Sequence, residues 1–417
     1  MPSENIPSAT HAASLTQDAT DSAPTEPFPS LDSPHESTAT VISDIEDFSD
    51  IQDEGDVMPS ASPELLSNAL AAFHQYPFAE GTRLPLSEVS TLSKAHADPA
   101  VTKLTITDPR ALKSLERFSN LQQLTLEGPA FTQGFDLADL PSSVKSLTLK
   151  GCTVDRDFFA PPSGPRPLAS LSLINCTVRD LTSVARLEGV DALKVSGGRI
   201  GDKDAKVLST MKGLKALDLS DNVIHEEGAA ALSGMEGLDS LNLSFNDLGD
   251  NGAKRLSTMK GLKTLNLSAN AIFATGASAL STMEGITTLD LTWNYIGDKG
   301  AIALSENMKG VTSLNLWRNN IGDAGATAVS KMQGLASLNL GCNYIGDEGA
   351  VALSTMKGLT SLDLRINLIG DAGAIALSKM HDVRMLDLGA NTDIGAAGSA
   401  ALASMKGTLF RKRFTST

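Results

Sequence analysis

Between residues 213 and 405 the apolar positions recur in a fixed order. In the copy Gly261–Met283 they fall first at Leu262, Leu265 and Leu267. That alternation predicts a short strand, with Leu265 and Leu267 directed into a core and Thr264, Asn266 and Ser268 facing outward. Asn270 ends the strand, where a short amide can bond main-chain groups of adjacent copies that would otherwise be buried unpaired. Ile272 dips back inward. A Gly-Asp pair then opens a helix in most copies (Gly297-Asp298, Gly322-Asp323, Gly346-Asp347, Gly370-Asp371), and the Asp is expected to cap it. A block such as Gly349–Ser354 follows, whose small Gly349 and Ala350 let helix and strand approach closely while Leu353 fills the core. Each copy closes on a Met of the column running from Met211 to Met405, read as core filling. Gly358 and its counterparts are expected to end the helix in a left-handed turn, with Asp382 in that place once. No single copy can bury its apolar face alone, so stability must come from stacking.

The Asn of each copy falls at 222, 246, 270, 294, 319, 343, 367 and 391, in steps of 24 residues with one of 25 where Asn307 is inserted. A period of this size means a solenoid, and L-x-x-L-x-L-x-x-N identifies it as a leucine-rich repeat. The predicted fold is therefore α/β. It is a right-handed horseshoe of about 13 coils, with parallel strands on the concave face, helices on the convex face and an inner face of about 60 Å at ~4.8 Å per strand. The repeats begin irregularly at Val101, where Leu104/Ile106, Leu124/Leu126, Leu147/Leu149, Leu171/Leu173 and Leu193/Val195 match the two core strand positions. Cys152 and Cys176 stand where later copies have the ladder Asn, and Phe158–Pro167 holds too many prolines for a helix.

The domain reading is a disordered acidic tail over 1–60, a helical cap over 61–100, repeats over 101–407 and a C-terminal tail over 408–417. The tail is rich in Ser, Thr, Pro and acid and too poor in apolar residues to offset ordering entropy. In the cap, Leu65, Leu66, Ala69, Leu70 and Phe73 make a helical stripe behind Pro63. Thr408–Phe414 is read as a last strand or a frayed cap.

Charge sharpens this division. The net charge is −15, yet residues 1–82 hold 15 Asp and Glu and no Lys or Arg, leaving 34 of each sign in the rest. The repeats thus have no electrostatic case for nucleic acid. No apolar run is long enough to span a membrane, and the N-terminus lacks a signal-peptide pattern. Three Cys provide no disulfide framework. The six His pair with no Cys or Ser at a catalytic spacing. Neither a phosphate-binding loop nor a metal-ligand cluster is legible, and one carboxylate per coil suits helix capping better than calcium. The chain is accordingly read as a non-enzyme without catalytic residues, metal or cofactor.

What remains is a surface. The positions flanking the ladder Asn vary most and hold Phe245, Trp293, Tyr295, Trp317, Arg318, Cys342, Tyr344, Arg365 and Ile366, including both Trp of the chain. Trp, Tyr and Arg dominate binding hot spots, so these residues other than Cys342 are the candidate protein-binding site, the partner a protein or peptide and the chain a monomer.

The blocks Gly228–Ser233, Gly300–Ser305, Gly349–Ser354, Gly373–Ser378 and Gly398–Ala403 resemble the 24-residue GALA leucine-rich repeats, best known from type III secreted effectors of plant-pathogenic bacteria. The resemblance covers 200–405 closely and 101–200 loosely. It implies delivery by a bacterium into the host cell cytoplasm, the bacterial cytoplasm being the alternative, and a host protein as partner. Effectors of this family carry an N-terminal F-box that docks a ubiquitin-ligase adaptor. Pro63–Phe73 resembles its opening helix, although no Trp follows. Ran GTPase-activating proteins share Gly-Ala-x-x-Leu helices and an acidic segment, implying as a remote alternative a regulator of a GTPase or enzyme.

Overall fold

The computed structural model describes residues 101–132, 137–159, 168–405 and 409–411. The expected tail, the expected cap, most of the proline-rich stretch and the last residues lie outside them. One parallel sheet of fourteen strands runs through the described chain, each strand pairing with the next coil's. It starts at Lys103–Ile106 and ends at Leu409–Arg411, so the last expected strand forms and adds a coil to the expected count. Register is held by the core leucines, with Leu241, Leu265, Leu289, Leu314 and Leu338 aligned across consecutive strands.

The inward assignment holds throughout. Leu265, Leu267, Ile272 and Leu280 are sealed from solvent, as is the Met column from Met211 to Met380 apart from a few per cent. In the early coils the chain turns through a 3-10 helix at Pro109–Arg117, and just after the ladder Cys it pairs a second small sheet, Thr153–Val154 with Thr177–Val178, the latter followed by a short α-helix at Thr182–Ala185. From Asp202 onward each coil has an α-helix. Most span seven residues, but the coil containing the inserted Asn307 extends to Gly297–Asn307, where the Asn307 amide donates to Ala303 O at 3.1 Å and Ser281 Oγ at 3.3 Å. The insertion thus lengthens the helix instead of bulging the strand.

The Asn ladder is built of paired bonds. Asn343 Nδ2 donates to Leu316 O and Leu340 O at 3.0 Å, and its Oδ1 accepts from Asn319 N at 2.9 Å and Ile321 N at 3.0 Å. Each Asn therefore ties its own coil to the one before. Cys152 and Cys176 keep the donor bond to the coil before, their thiols pointing to Leu126 O at 3.5 Å and Leu149 O at 3.4 Å. The adjacent Cys176 sulfur, reinforced by burial, pushes the Cys152 thiol far above its ordinary pKa. Only the thiolate is reactive. Because Cys152 and Cys176 are both buried out of reach of a reagent, we expect a maleimide added to the native protein to label Cys342, which alone is partly exposed, and to leave the other two unmodified until denaturant is added. Peptide mapping of three equally labelled sites would contradict this.

Two expectations about helix ends need correction. The Asp of each Gly-Asp pair does not cap its own helix. Asp323 is the first residue of its helix, and its Oδ1 accepts from Gly346 N at 2.7 Å and Gly349 N at 2.8 Å in the following coil. Asp202, Asp250, Asp298, Asp347 and Asp371 do the same for their successors. Glu226 and Ala274 break the series. In the coil after each, the glycine switches to the left-handed region (Gly249 φ 58°, Gly297 φ 59°), and its N–H turns to Asn270 O or Asn319 O instead. The carboxylate of one coil thus sets the backbone of the next. At the other end, the helices from Asp202 onward stop at a Ser in right-handed geometry, such as Ser354, except Gly297–Asn307, which stops at an extended Met308, and Gly358 takes φ 74° only in the later turn into the next strand. Asp382 avoids that region and its carboxylate accepts from Gly358 N at 2.9 Å.

Candidate protein-binding edge

The polar residues on the concave strands are occupied structurally. Asn242, Asn266, Asp290, Asn315, Asn339, Asp363 and Asp387 each accept, through Oδ1, the N–H two residues ahead, an Asx turn that ends the strand. Ser240, Thr264 and Ser313 are buried between neighbouring strands despite facing outward. The small, repetitive concave column is therefore accounted for by the fold.

The position just before each ladder Asn is different. All eight residues there (Asp221, Phe245, Ala269, Trp293, Arg318, Cys342, Ile366 and Ala390) are left-handed, with φ between 52° and 57°. The conformation is forced from both sides. The N–H of Phe245, Trp293, Arg318, Cys342 and Ile366 bonds the carbonyl of the next coil at 2.7–2.9 Å, and the following Asn side chain must turn inward. Left-handed backbone disfavours any residue with a Cβ by about 1–2 kcal/mol, except Asn and Asp, which tolerate it better. Asp221 obeys that preference; Phe245, Trp293, Arg318 and Ile366 do not. Phe245 and Ile366 are strained there although exposed, so they add little to the core. We expect Ile366→Gly to raise stability by about 0.5–1 kcal/mol, read as a higher urea midpoint. A lower midpoint would mean that the isoleucine packs usefully.

Three of these residues touch. The Phe245 and Trp293 rings meet edge to face at 6.4 Å, and the Arg318 guanidinium lies 4.8 Å above the Trp293 ring. Phe245 and Trp293 are two coils apart, and the methyl of Ala269 between them leaves the space across which the rings meet. Cys342 and Ile366 continue the column.

The other sequence-predicted residues lie on either side of this ridge. Trp317 and Arg365 precede it by one residue, toward the concave face. Trp317 is accommodated by Gly341, where a Cβ would come within 2.7 Å of the indole Cδ1. Arg365 forms a two-pronged pair with Asp363 (Nη2–Oδ2 2.6 Å, Nε–Oδ1 3.0 Å) and approaches Asp387 at 3.5 Å. The Asp363 carboxylate beside it raises the guanidinium pKa above its ordinary value. Arg365 therefore neutralises two concave carboxylates. Tyr295 and Tyr344 follow the ladder Asn, on the outer side of the edge, and both are exposed. Tyr295 stacks on Phe273 with centroids 5.0 Å apart and planes 15° from parallel. Among the described residues no ring contact joins Tyr295 or Tyr344 to Trp293. Sequence reasoning missed Phe273 and Leu368, both exposed. A signal for Phe273 existed: Phe273-Ala274 replaces the Gly-Asp pair of other coils.

All these side chains sit at the carboxyl ends of parallel strands, where α/β sheets present their variable loops. Among the described residues no group of three His, Cys, Asp or Glu could hold a metal, and no helix is long and apolar enough to cross a membrane.

Comparison with known proteins agrees with the repeat architecture. The family described as "Leucine rich repeat" matches residues 188–248 and 309–369, and a second leucine-rich-repeat family matches 286–305. Curated protein sequences provide no match. Among solved structures, an internalin of Listeria monocytogenes is similar at 18% identity with a TM-score of 0.44, covering 85% of this chain and 97% of that one. Internalin C2 of the same organism is similar at 23% identity and a TM-score of 0.39, covering 49% and 83%.

Proposed function

We propose that this leucine-rich-repeat protein is a non-catalytic scaffold that captures a protein partner on the strand-end edge centred on Phe245, Trp293 and Arg318. The observation that carries the reading is the column of bulky residues held in left-handed backbone. Side chains are retained there at a conformational cost the fold does not require, and strain of this kind marks sites of function. They are aromatic or cationic, partly exposed and in mutual contact, as binding hot spots are. Trp317 and Ile366 extend the contact area; Tyr295, Phe273 and Tyr344 form its outer rim.

The finer reading is a bacterial effector delivered into a host cell, supported by the likeness of residues 200–405 to GALA repeats and by the acidic Ser/Thr/Pro-rich N-terminal sequence. Docking of a ubiquitin-ligase adaptor by residues 61–100 is the second reading, favoured by Pro63–Phe73. The test is affinity capture from plant cell extract with the full chain and with Trp293→Ala/Trp317→Ala/Arg318→Ala, both first shown to unfold at the same urea concentration. Hot-spot truncation costs about 2 kcal/mol or more, so the specific partner should fall at least thirtyfold. If both baits return the same proteins in equal yield, the edge is not the binding surface. An adaptor retained by both baits and lost from Leu65→Glu/Leu66→Glu would support the second reading.

A further inference from the structure

Arg318 has a cation to spare. Arg365 is paired with Asp363 and Asp387, Arg255 with Glu226, and Arg110 with Asp108. Among the described residues no carboxylate or carbonyl receives the Arg318 guanidinium, whose one partner is the Trp293 ring. A guanidinium seated over an indole satisfies none of its N–H groups with an acceptor, and its planar fork can read a carboxylate with two parallel hydrogen bonds. Holding Arg318 at φ 54° on a ladder-bonded backbone removes further freedom. On either side along the ridge stand exposed apolar groups, Phe245 in one direction and Ile366 in the other.

We infer that the edge recognises a short acidic segment of its protein partner, with one Asp or Glu carboxylate seated on Arg318 and bulky apolar side chains beside it against Phe245–Trp293 and Ile366. This rests on the binding role proposed above and assigns the chemistry of the partner. Charge complementarity favours a single carboxylate over a phosphate dianion. The ridge offers one unpaired cation, and the nearby concave column carries Asp290, Asp363 and Asp387, of which the last two already consume Arg365.

The probe is a displayed library of random twelve-residue peptides, selected on the full chain and on Arg318→Glu. Binding of selected peptides is followed by the intrinsic fluorescence of Trp293 and Trp317, the only indoles in the chain. Wild-type selection should enrich Asp or Glu within three residues of Phe, Leu, Ile or Trp, and the Arg318→Glu selection should replace those acids by Lys or Arg. Changing the selected acid to its amide should weaken binding to wild type at least tenfold and leave binding to Arg318→Gln within about twofold. If acid and amide peptides bind wild type equally and Trp293→Ala abolishes both, the carboxylate assignment falls while the edge remains the binding surface. If the peptides bind Phe245→Ala and Trp293→Ala as well as wild type, the edge reading falls too. A library that yields no peptide overturns the inference, because the ridge then reads no linear segment.

Discussion

Asn343→Leu will destabilise the repeat domain by about 4 kcal/mol, despite matching the replaced side chain in size. Asn343 is buried, and its amide serves five main-chain groups, three carbonyls and two N–H, drawn from two coils; Gly341 O has a second partner in Arg318 N, which leaves four. Leucine would leave all four facing a nonpolar interior, and each orphaned buried group costs about 1–3 kcal/mol. Partial rewetting at the edge brings the sum down to the stated figure, a large part of the 5–15 kcal/mol that holds a domain folded. Coils interact mainly with neighbours, so the urea transition, followed by circular dichroism, should also split as the C-terminal coils uncouple. A loss under about 1 kcal/mol with a single transition would show that the ladder is dispensable. Asn343→Cys should fall between, because Cys152 and Cys176 show that a thiol still reaches a carbonyl of the preceding coil, but with a single proton where the amide has two.

Gly349→Ala will cost about 2–3 kcal/mol at a helix position where Ala normally exceeds Gly by about 1 kcal/mol. An added Cβ would lie 2.6 Å from Asp323 Oδ1, 2.8 Å from Ile345 Cγ2 and 3.0 Å from the Ala326 Cβ. None of these can retreat cheaply. The carboxylate is held by Gly346 N and Gly349 N, the isoleucine fills the core, and Ala326 belongs to the neighbouring helix. Overpacking of this order costs 1–3 kcal/mol, to which the weakened cap adds. Asp323→Ala alone should lose about 1–2 kcal/mol as a lost cap. Combined with Gly349→Ala it should lose less than the two added together, since one clash disappears with the carboxylate. Equal or greater stability of Gly349→Ala in a denaturant melt would refute the close-approach account of the Gly-Ala block.

The two substitutions fail for related reasons. In both, one residue sits where groups from its own coil and the one before converge. Leucines such as Leu289 meet the same kind of neighbour coil after coil, whereas the Asn and Asp bonds reach across the coil boundary and fix its geometry. This is why the edge can carry strained residues. Phe245, Trp293 and Ile366 stay left-handed because the ladder on one side and the inter-coil N–H bond on the other leave the backbone no alternative.

The sequence by itself determined the coil. Period, inward leucines, Met column, ladder Asn and the place of each strand follow from side-chain alternation and burial, which are local and repeated. It also marked the variable positions, because a repeat exposes its exceptions: Trp293, Trp317 and Arg318 stand out against Ser, Ala and Asn. Only the tertiary structure decided which residues across coils meet. An Asp at a helix start reads as that helix's cap, and stacking was needed to show that its carboxylate reaches the next coil. Arg365 reads as a free hot-spot residue until Asp363 and Asp387 are seen around it. The contact of Phe245 with Trp293 over Ala269, the stacking of Arg318 and the left-handed backbone beneath them arise from juxtaposition of residues about 24 apart or more. One-dimensional periodicity carries the average environment of each position, while pairwise geometry between coils exists only once they are stacked.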